Sequence, residues 1–372
     1  LSRIKIKPDP IPDNNYFILL GDWGGVSANA NLGSSQLAVA KMMKDYYNAQ
    51  KTGEDKLKTL LFVATLGDNF YYTGHDGTQK MWDSTWKNVY GTDLTNVPWF
   101  AVMGNHDFGN NDPWSICPEK NPDKSQVTIV NKTAYNCNQL DNDKQTTKKP
   151  RPVGTYNYVM PDFCYHYEIP ELNFELIALS CDSTDSPGGI GGDGTNSWCG
   201  DHECGAYQTS LNCGGPQPMT DKLQQIYNAG QDLLIERAKN SENTNILITN
   251  HYPDVEDKLR NTFISNTSET KKAKQTVITA GGHIHNTHCI TQPEGELCLS
   301  IVSGGGGGCC FTTGPTTDVS GFYVVHFYKD SSDNTIKMKT EKILYPYSSV
   351  KPPAYHKNGP RIVNVPHSPD SH

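Results

Sequence analysis

Two aspartates, an asparagine, four histidines and a tyrosine stand at the ends of short apolar runs in this chain, and metal chemistry needs that mixture. The run at residues 17–20 ends at Asp22, and that at 60–63 leads to Asp68, with Tyr71 three positions on. Residues 99–103 lead to Asn105 and His106, 245–248 to His251, and 276–278 to His283 and His285. Carboxylates and a phenolate suit a hard ion, whereas imidazoles suit a borderline divalent one. Asp22, Asp68, Tyr71 and His285 would make an O,O,O,N set for Fe3+. Asn105, His251 and His283 would make a nitrogen-rich set for Zn2+, Mn2+ or Fe2+. Asp68, with one oxygen for each ion, is the expected bridge. Taken singly, a Gly-Asp or Asn-His pair is as compatible with a structural role, and so is His283-Ile284-His285. Five such blocks in order carry the metal site.

Short apolar runs bounded by glycine and turn residues read as strands covered on both faces. In open α/β sheets, ligands gather beyond the carboxyl ends of such strands. The five blocks are therefore expected along one rim. Residues 16–110 read as strand, helix, strand, helix, strand. The first helix spans 35–50, with Leu37, Ala40, Met43 and Tyr47 on one face and Gly53 just beyond its end. Residues 111–215 turn to Asn, Asp, Gly, Pro and Cys. Within them, 155–159, 164–169 and 174–180 read as strands of a second sheet, and the rest as long loops. A second helix opens at Thr220, carries Leu223, Ile226, Tyr227 and Leu234, and returns the chain to the strand before His251. Residues 321–328 alternate and read as a late strand. From Tyr345 the Pro-rich chain reads as tail or linker.

Two glycine runs differ in context. Residues 188–194 lack the preceding strand and following helix of a dinucleotide fingerprint and read as loop. The five glycines from Gly304 to Gly308 follow a strand directly. They either let the backbone approach the metal rim closely or form a flexible loop.

At 372 residues, with 35% hydrophobic and 19% charged, the chain is globular rather than disordered and fills one large domain or two smaller ones. A net charge of −8 without a basic block argues against nucleic acid as a partner. No apolar run approaches the ~20 residues of a membrane span. The chain opens on Leu1 without a basic or apolar leader, which reads as a processed or trimmed form. Of eleven cysteines, seven fall between Cys117 and Cys213, and none forms a C-x-x-C pair. Disulfides in an oxidising compartment are expected rather than a structural zinc. Glycosylation triplets at Asn131 and Asn266 fit that compartment. The odd count leaves at least one thiol unpaired or intermolecular.

The blocks themselves are Gly-Asp-Trp-Gly-Gly at 21–25, Gly-Asp-Asn-Phe-Tyr at 67–71, Gly-Asn-His-Asp at 104–107, Asn-His-Tyr-Pro at 250–253 and Gly-His-Ile-His at 282–285. In these the chain resembles the purple acid phosphatases, a branch of the calcineurin-like metallophosphoesterases. The resemblance covers most of residues 16–110 and 246–310 and includes Pro98-Trp99 ahead of the third block. It implies an α/β fold, a four-layer α/β/β/α sandwich with a dinuclear metal site at the C-terminal ends of the strands. A single domain would cover 1–345, with a Cys-rich excursion at 111–215 and a tail over 346–372. Further implications are hydrolysis of phosphate monoesters, two metal ions (Fe3+ with Zn2+, Mn2+ or Fe2+), and a purple colour from Tyr71 on Fe3+. His106 matches the family's outer-sphere histidine, which with Asn105 meets phosphate and can protonate the leaving group.

Two positions depart from the family. Arg260 stands where the animal enzymes carry a second histidine; a guanidinium clamps phosphate oxygens but yields no proton near neutral pH. Asn250 replaces the usual glycine before His251 and is expected to put a side chain close to the metals. These departures, the Asn- and Lys-rich character and the Cys-rich middle are also similar to the phosphatase-like glideosome anchors of apicomplexan parasites. That similarity implies weak or absent turnover and a scaffold that binds gliding motor complex proteins. It would sit in the secretory pathway or on the lumenal face of the inner membrane complex, held by a C-terminal helix not present in this chain.

Overall fold

Where the sequence runs apolar, the computed structural model forms strands with both faces covered. It describes residues 4–25, 30–52, 57–71, 74–75, 77–104, 107, 154–180, 216–253, 256–292, 297–308 and 315–347. The first sheet is built from β1 (Asn15–Leu20), β2 (Thr59–Leu66), β3 (Trp99–Val102) and β4 (Tyr158–Val159), paired in parallel in that order. β11 (Gly321–Lys329) adds antiparallel to β1, and β12 (Ile336–Leu344) antiparallel to β11. The second sheet runs in the order β5 (Cys164–Ile169), β6 (Phe174–Leu179), β7 (Asn245–Thr249), β8 (Thr276–Gly281), β10 (Ser300–Ser303), β9 (Thr287–Thr291). Its four inner strands are parallel, and its two edge strands pair antiparallel.

Aromatic residues join the two sheets face to face. Phe17 of β1 stacks on Phe62 of β2 at 4.6 Å between centroids and meets Phe174 of β6 at 5.3 Å. Phe100 of β3 lies 4.9 Å from Tyr167 of β5. Fully burying each such ring is worth roughly 1.5–3 kcal/mol.

Helices cover the outer faces. On the first sheet, α1 (Ala30–Thr52) buries Val39, Ala40, Met42, Met43, Tyr46 and Tyr47, a stripe at helical spacing. Leu37, expected on that face, is 51% exposed. Steps of three residues each fall about 60° short of a turn, so Leu37 lies about 120° from Met43. The helix also begins five residues earlier than expected. Ahead of β3 lie the short α2 (Gln79–Trp82), a π-helical turn and α3 (Asn88–Thr95).

On the second sheet, α4 (Pro216–Asn240) brings Leu234 and Ala238, and α5 (Glu256–Asn266) brings Leu259 and Phe263, onto Ile177, Ile246, Ile248 and Val277. A short α6 (Glu269–Lys272) precedes β8. The layers are therefore helix, sheet, sheet, helix, as expected. No described helix is long and apolar enough to cross a membrane.

The strand expected over 155–159 is corrected in length and in place. Only Tyr158 and Val159 form a strand, and they extend the first sheet beside β3. Trp99 N donates to Asn157 O at 2.6 Å, so the free edge of β3 captures this segment. Residues 154–180 thus supply strands to both sheets. The neighbouring stretches 108–153 and 181–215 lie outside the described residues, as do the tail beyond 347 and the glycine run at 188–194.

Candidate metal centre

Parallel pairing decides which loops meet. β1 and β2 end side by side, and Asp22 and Asp68 each lie two residues beyond a strand end. Backbone bonds lock the two loops together: Asp22 N donates to Gly67 O at 3.1 Å and Trp23 N to Asp68 O at 3.2 Å. From the second sheet, His251 and His283 lie two residues beyond β7 and β8. Asp22, Asp68 and His283 all have positive φ, at 55°, 48° and 65°. For residues with a Cβ this left-handed region costs on the order of 1–3 kcal/mol each and persists only where surroundings enforce it.

The side chains converge. Tyr71 Oη sits 3.1 Å from Asp22 Oδ1, 3.0 Å from Asp68 Oδ2 and 3.2 Å from His285 Nε2. His285 Nε2 lies 3.5 Å from Asp22 Oδ1. On the other side of Asp68, Oδ1 is 3.4 Å from His251 Nε2. Asp68 therefore turns one oxygen to the tyrosine group and the other to the histidine group. His251 Nδ1 lies 2.8 Å from Leu66 O, an acceptor only, so the neutral ring carries its proton there and keeps its lone pair on Nε2, on the Asp68 side. The His283 ring stands 5.1 Å from that of His251 and 4.9 Å from that of Tyr252. Its backbone N–H donates to Asp22 Oδ2 at 2.8 Å, fixing that carboxylate's orientation.

Burial and then the neighbouring Asp22 and Asp68 hold the Tyr71 phenol well above its usual range, so it keeps its proton between two carboxylates. His251 shows the opposite balance. Burial, the largest single influence, lowers it, but Asp68, Asp22, the Leu66 carbonyl and Asp107 together raise it above an ordinary histidine.

The five-glycine run is resolved in favour of close approach. A Cβ on Gly304 would lie 2.7 Å from Asp22 Oδ2, and one on Gly308 would lie 2.5 Å from the Tyr71 ring. Gly308 N also donates to Asp22 O at 2.7 Å.

Asn105 and His106 lie outside the described residues. Arg260 sits half-buried on α5, and among the described residues no hydrogen bond or ion pair joins it to this cluster. Asn250, expected close to the metals, is fully buried and turns its amide Nδ2 to Tyr252 O at 2.8 Å, bracing the turn that carries His251. Of the cysteines, Cys289 within β9 and Cys298 form a disulfide. Cys164 directs its sulfur at the Ile226 and Ser180 carbonyls. One residue passed over in the sequence is Asp107; its only signal there is its place as the last residue of the third block.

The donor set fits metal ions. Ligand atoms of Asp22, Asp68 and His285 all lie within 4.8 Å of one another. Four ligands about 2.1 Å from one ion are separated by about 3.4 Å, close to the 3.0–3.5 Å spacings among Asp22, Asp68, Tyr71 and His285. Two buried carboxylates facing one phenol also call for positive charge, since burying an uncompensated ion costs several kcal/mol.

The sheets, their order and the acid-rich edge define a metallophosphoesterase. Residues 16–287 match the calcineurin-like phosphoesterase family, and the chain belongs to it. Among curated relatives, tartrate-resistant acid phosphatase type 5 of Mus musculus is 38% identical over 93 residues, 24% of this chain and 26% of that enzyme. The Homo sapiens protein of the same name is 36% identical over 169 residues, 45% of this chain and 40% of its own length. Purple acid phosphatase 3 of Arabidopsis thaliana is 30% identical over 112 residues, 28% and 26% of the two chains. The chain thus spans two-fifths or less of the length of these relatives. Among solved structures, GAP50, the anchor in the inner membrane complex of Plasmodium, is similar over 90% of this chain and 85% of that one. Its TM-score is 0.47, at 16% identity.

Proposed function

We propose that this chain is a phosphomonoesterase of the purple acid phosphatase type, with two metal positions sharing Asp68. The observation that carries the reading is the division of Asp68's oxygens between Tyr71 and His251. Asp22, Tyr71, Asp68 and His285 would hold Fe3+. Asp68, Asn105, His251 and His283 would hold Zn2+, Mn2+ or Fe2+. When bound, such ions supply charge that neutralises phosphoryl oxygens and acidify a water. The chain's own part is to orient and to move protons. Leu66 keeps the His251 proton on Nδ1, Tyr71 would serve a hard ion as phenolate, and His106 is the candidate donor to the leaving oxygen. Purified protein reconstituted with iron and zinc should hold two equivalents of metal and hydrolyse nitrophenyl phosphate. Less than one equivalent would overturn the reading.

Arg260 favours a second reading, in which the fold and metal site serve as a scaffold binding gliding motor complex proteins at a membrane. A histidine-free position there leaves alkyl leaving groups without a second proton source. The Cys289–Cys298 disulfide supports a secretory-pathway, lumenal setting for either role. Arg260→His should raise turnover of alkyl phosphates relative to nitrophenyl phosphate if a missing acid limits the enzyme. A uniform rise in KM for every ester would instead make Arg260 a phosphate clamp. A protein inactive in both forms that still docks to motor proteins on membranes would select the scaffold.

A further inference from the structure

We propose that Asp107 is a positioning residue, whose buried carboxylate clamps the loops after β2 and β3 and thereby sets Asp68 between the two metal positions. The proposal rests on the metal reading above. Asp107 is 6% exposed. Its Oδ1 accepts from Asn69 N at 3.0 Å and Phe70 N at 3.2 Å. Its Oδ2 accepts from Asn69 N at 3.0 Å, Asn69 Nδ2 at 3.0 Å and Gly104 N at 2.9 Å. The Asn69 N–H belongs to the peptide that directly follows Asp68, so the carboxylate fixes that peptide plane and with it the ψ side of the Asp68 turn. Gly104 is the wall in front of Asp68: a Cβ there would lie 2.7 Å from His251 Cε1 and closer still to Asp68 Oδ1. One carboxylate therefore pins both the peptide behind Asp68 and the glycine before it. Asn69 extends the brace, donating to Val102 O at 2.8 Å and accepting from Trp23 Nε1 at 3.0 Å.

The chemistry requires an anion. Every group aimed at Asp107 in this set is an N–H donor, and each oxygen receives at least two of them. An asparagine would have to turn its NH2 toward donors whichever way it flipped, whereas a carboxylate accepts from all and makes the stronger, charge-assisted bonds.

The test compares Asp107→Asn with Asn245→Ala by titrating metal-free full-length protein with Co2+, whose visible absorption reports coordination, and by thermal unfolding. Asn245 is the stability control. It braces the opposite end of β7, donating to Leu172 O and Ile336 O, far from the strand's C-terminal edge. Asp107→Asn should raise the Co2+ dissociation constant about 10–100-fold, the usual effect of removing a residue that orients a ligand. Asn245→Ala should lower the Tm and leave the constant unchanged. Asn69→Ala, which removes one donor, should shift the constant in the same direction by a smaller factor and serves if Asp107→Asn does not fold. Unchanged affinity in the Asp107 and Asn69 variants, or losses that merely track Tm in all three, would overturn the proposal. Wild-type protein that binds no Co2+ would overturn the metal reading, and this proposal with it.

Discussion

Replacing Gly304 by alanine isolates what the glycine run does. The added Cβ would stand 2.7 Å from Asp22 Oδ2, where ordinary contact begins at 3.4 Å, and nearer still to the Ile284 carbonyl. Asp22 Oδ2 must therefore retreat by about 0.7 Å, which would stretch its 2.8 Å bond from His283 N to about 3.5 Å and effectively break it. A hydrogen bond to a charged group is worth about 1.5–3 kcal/mol, and each 1.4 kcal/mol is tenfold in a binding constant. The expected outcome is a metal affinity lowered roughly 10–100-fold. Calorimetric titration of metal-free protein measures it, with Gly91→Ala as comparison. Gly91 also has a positive φ, of 69°, but its Cβ would meet only the flexible end of Lys44 at 3.5 Å. Gly91→Ala should cost about 1–2 kcal/mol of stability through backbone strain alone and leave metal affinity intact. Two ions bound to Gly304→Ala with wild-type affinity would refute the reasoning, because the crowding could then relax without moving Asp22.

Tyr71→Phe leaves Asp22 and Asp68 facing each other without their shared proton, so the metal-free protein should lose about 1–3 kcal/mol in urea unfolding. The iron-loaded form should also lose its visible charge-transfer band; an unchanged band would remove Tyr71 from the metal. Changing both Cys289 and Cys298 to Ser opens a loop of sequence separation 9 and should cost roughly 2–3 kcal/mol, read as a lower urea midpoint. His326 packs against Tyr46 at 3.0 Å and Glu341 at 2.9 Å. Burial lowers its pKa from 6.5; Glu341 opposes this, while Lys58 and Lys339 add to it. Below about pH 6.5 the unfolded chain then takes up the proton more readily than the folded one, so this contribution to stability falls as pH drops. His326→Gln keeps a donor without titrating, and its urea midpoint should fall less than wild type's between pH 7.5 and 5.5; equal falls would refute the assignment.

The rim was legible because two-sided burial writes itself as continuous apolar runs, and because parallel strands send their C-terminal ends the same way. That rule sets Asp22, Asp68, His251 and His283, each two residues beyond a strand end, on one rim. The division into two sheets does not follow from it, since face-to-face contacts such as Phe17 with Phe174 join residues far apart in sequence. β12 carries Lys337, Lys339 and Lys342 and so shows no continuous apolar run, although the strand pairs along its whole length with β11. Tyr158 and Val159 are too few to show a period, and only the open edge of β3 makes them a strand. The glycine run stayed ambiguous because the same residues permit either mobility or crowding, and the atoms they crowd belong to Asp22 and Tyr71. Asp107 was hidden for a similar reason: a carboxylate that gathers backbone N–H donors from two separate loops has no pattern in one dimension.

Three of the converging residues occupy the left-handed region, and there the geometry of the site and the stability of the fold meet. Glycine would hold that conformation without strain, but glycine brings no ligand atom, so Asp22, Asp68 and His283 together cost on the order of 3–9 kcal/mol. Asp107, Ser303 and the glycine run enforce the strained turns from outside; Ser303 O, for one, accepts from Gly21 N at 2.6 Å. Without metal, the cluster also keeps two carboxylates buried against a phenol and imidazoles. Cations relieve that second burden but not the first, so binding should stabilise the whole domain rather than reshape the loops. At a hundred times the dissociation constant a bound ion adds about 2.7 kcal/mol. Stripping the metals with a chelator should therefore lower the Tm while leaving the far-ultraviolet circular dichroism unchanged. A loss of ordered backbone on chelation would show instead that the ions, not the surrounding loops, hold Asp22, Asp68 and His283 in their left-handed turns.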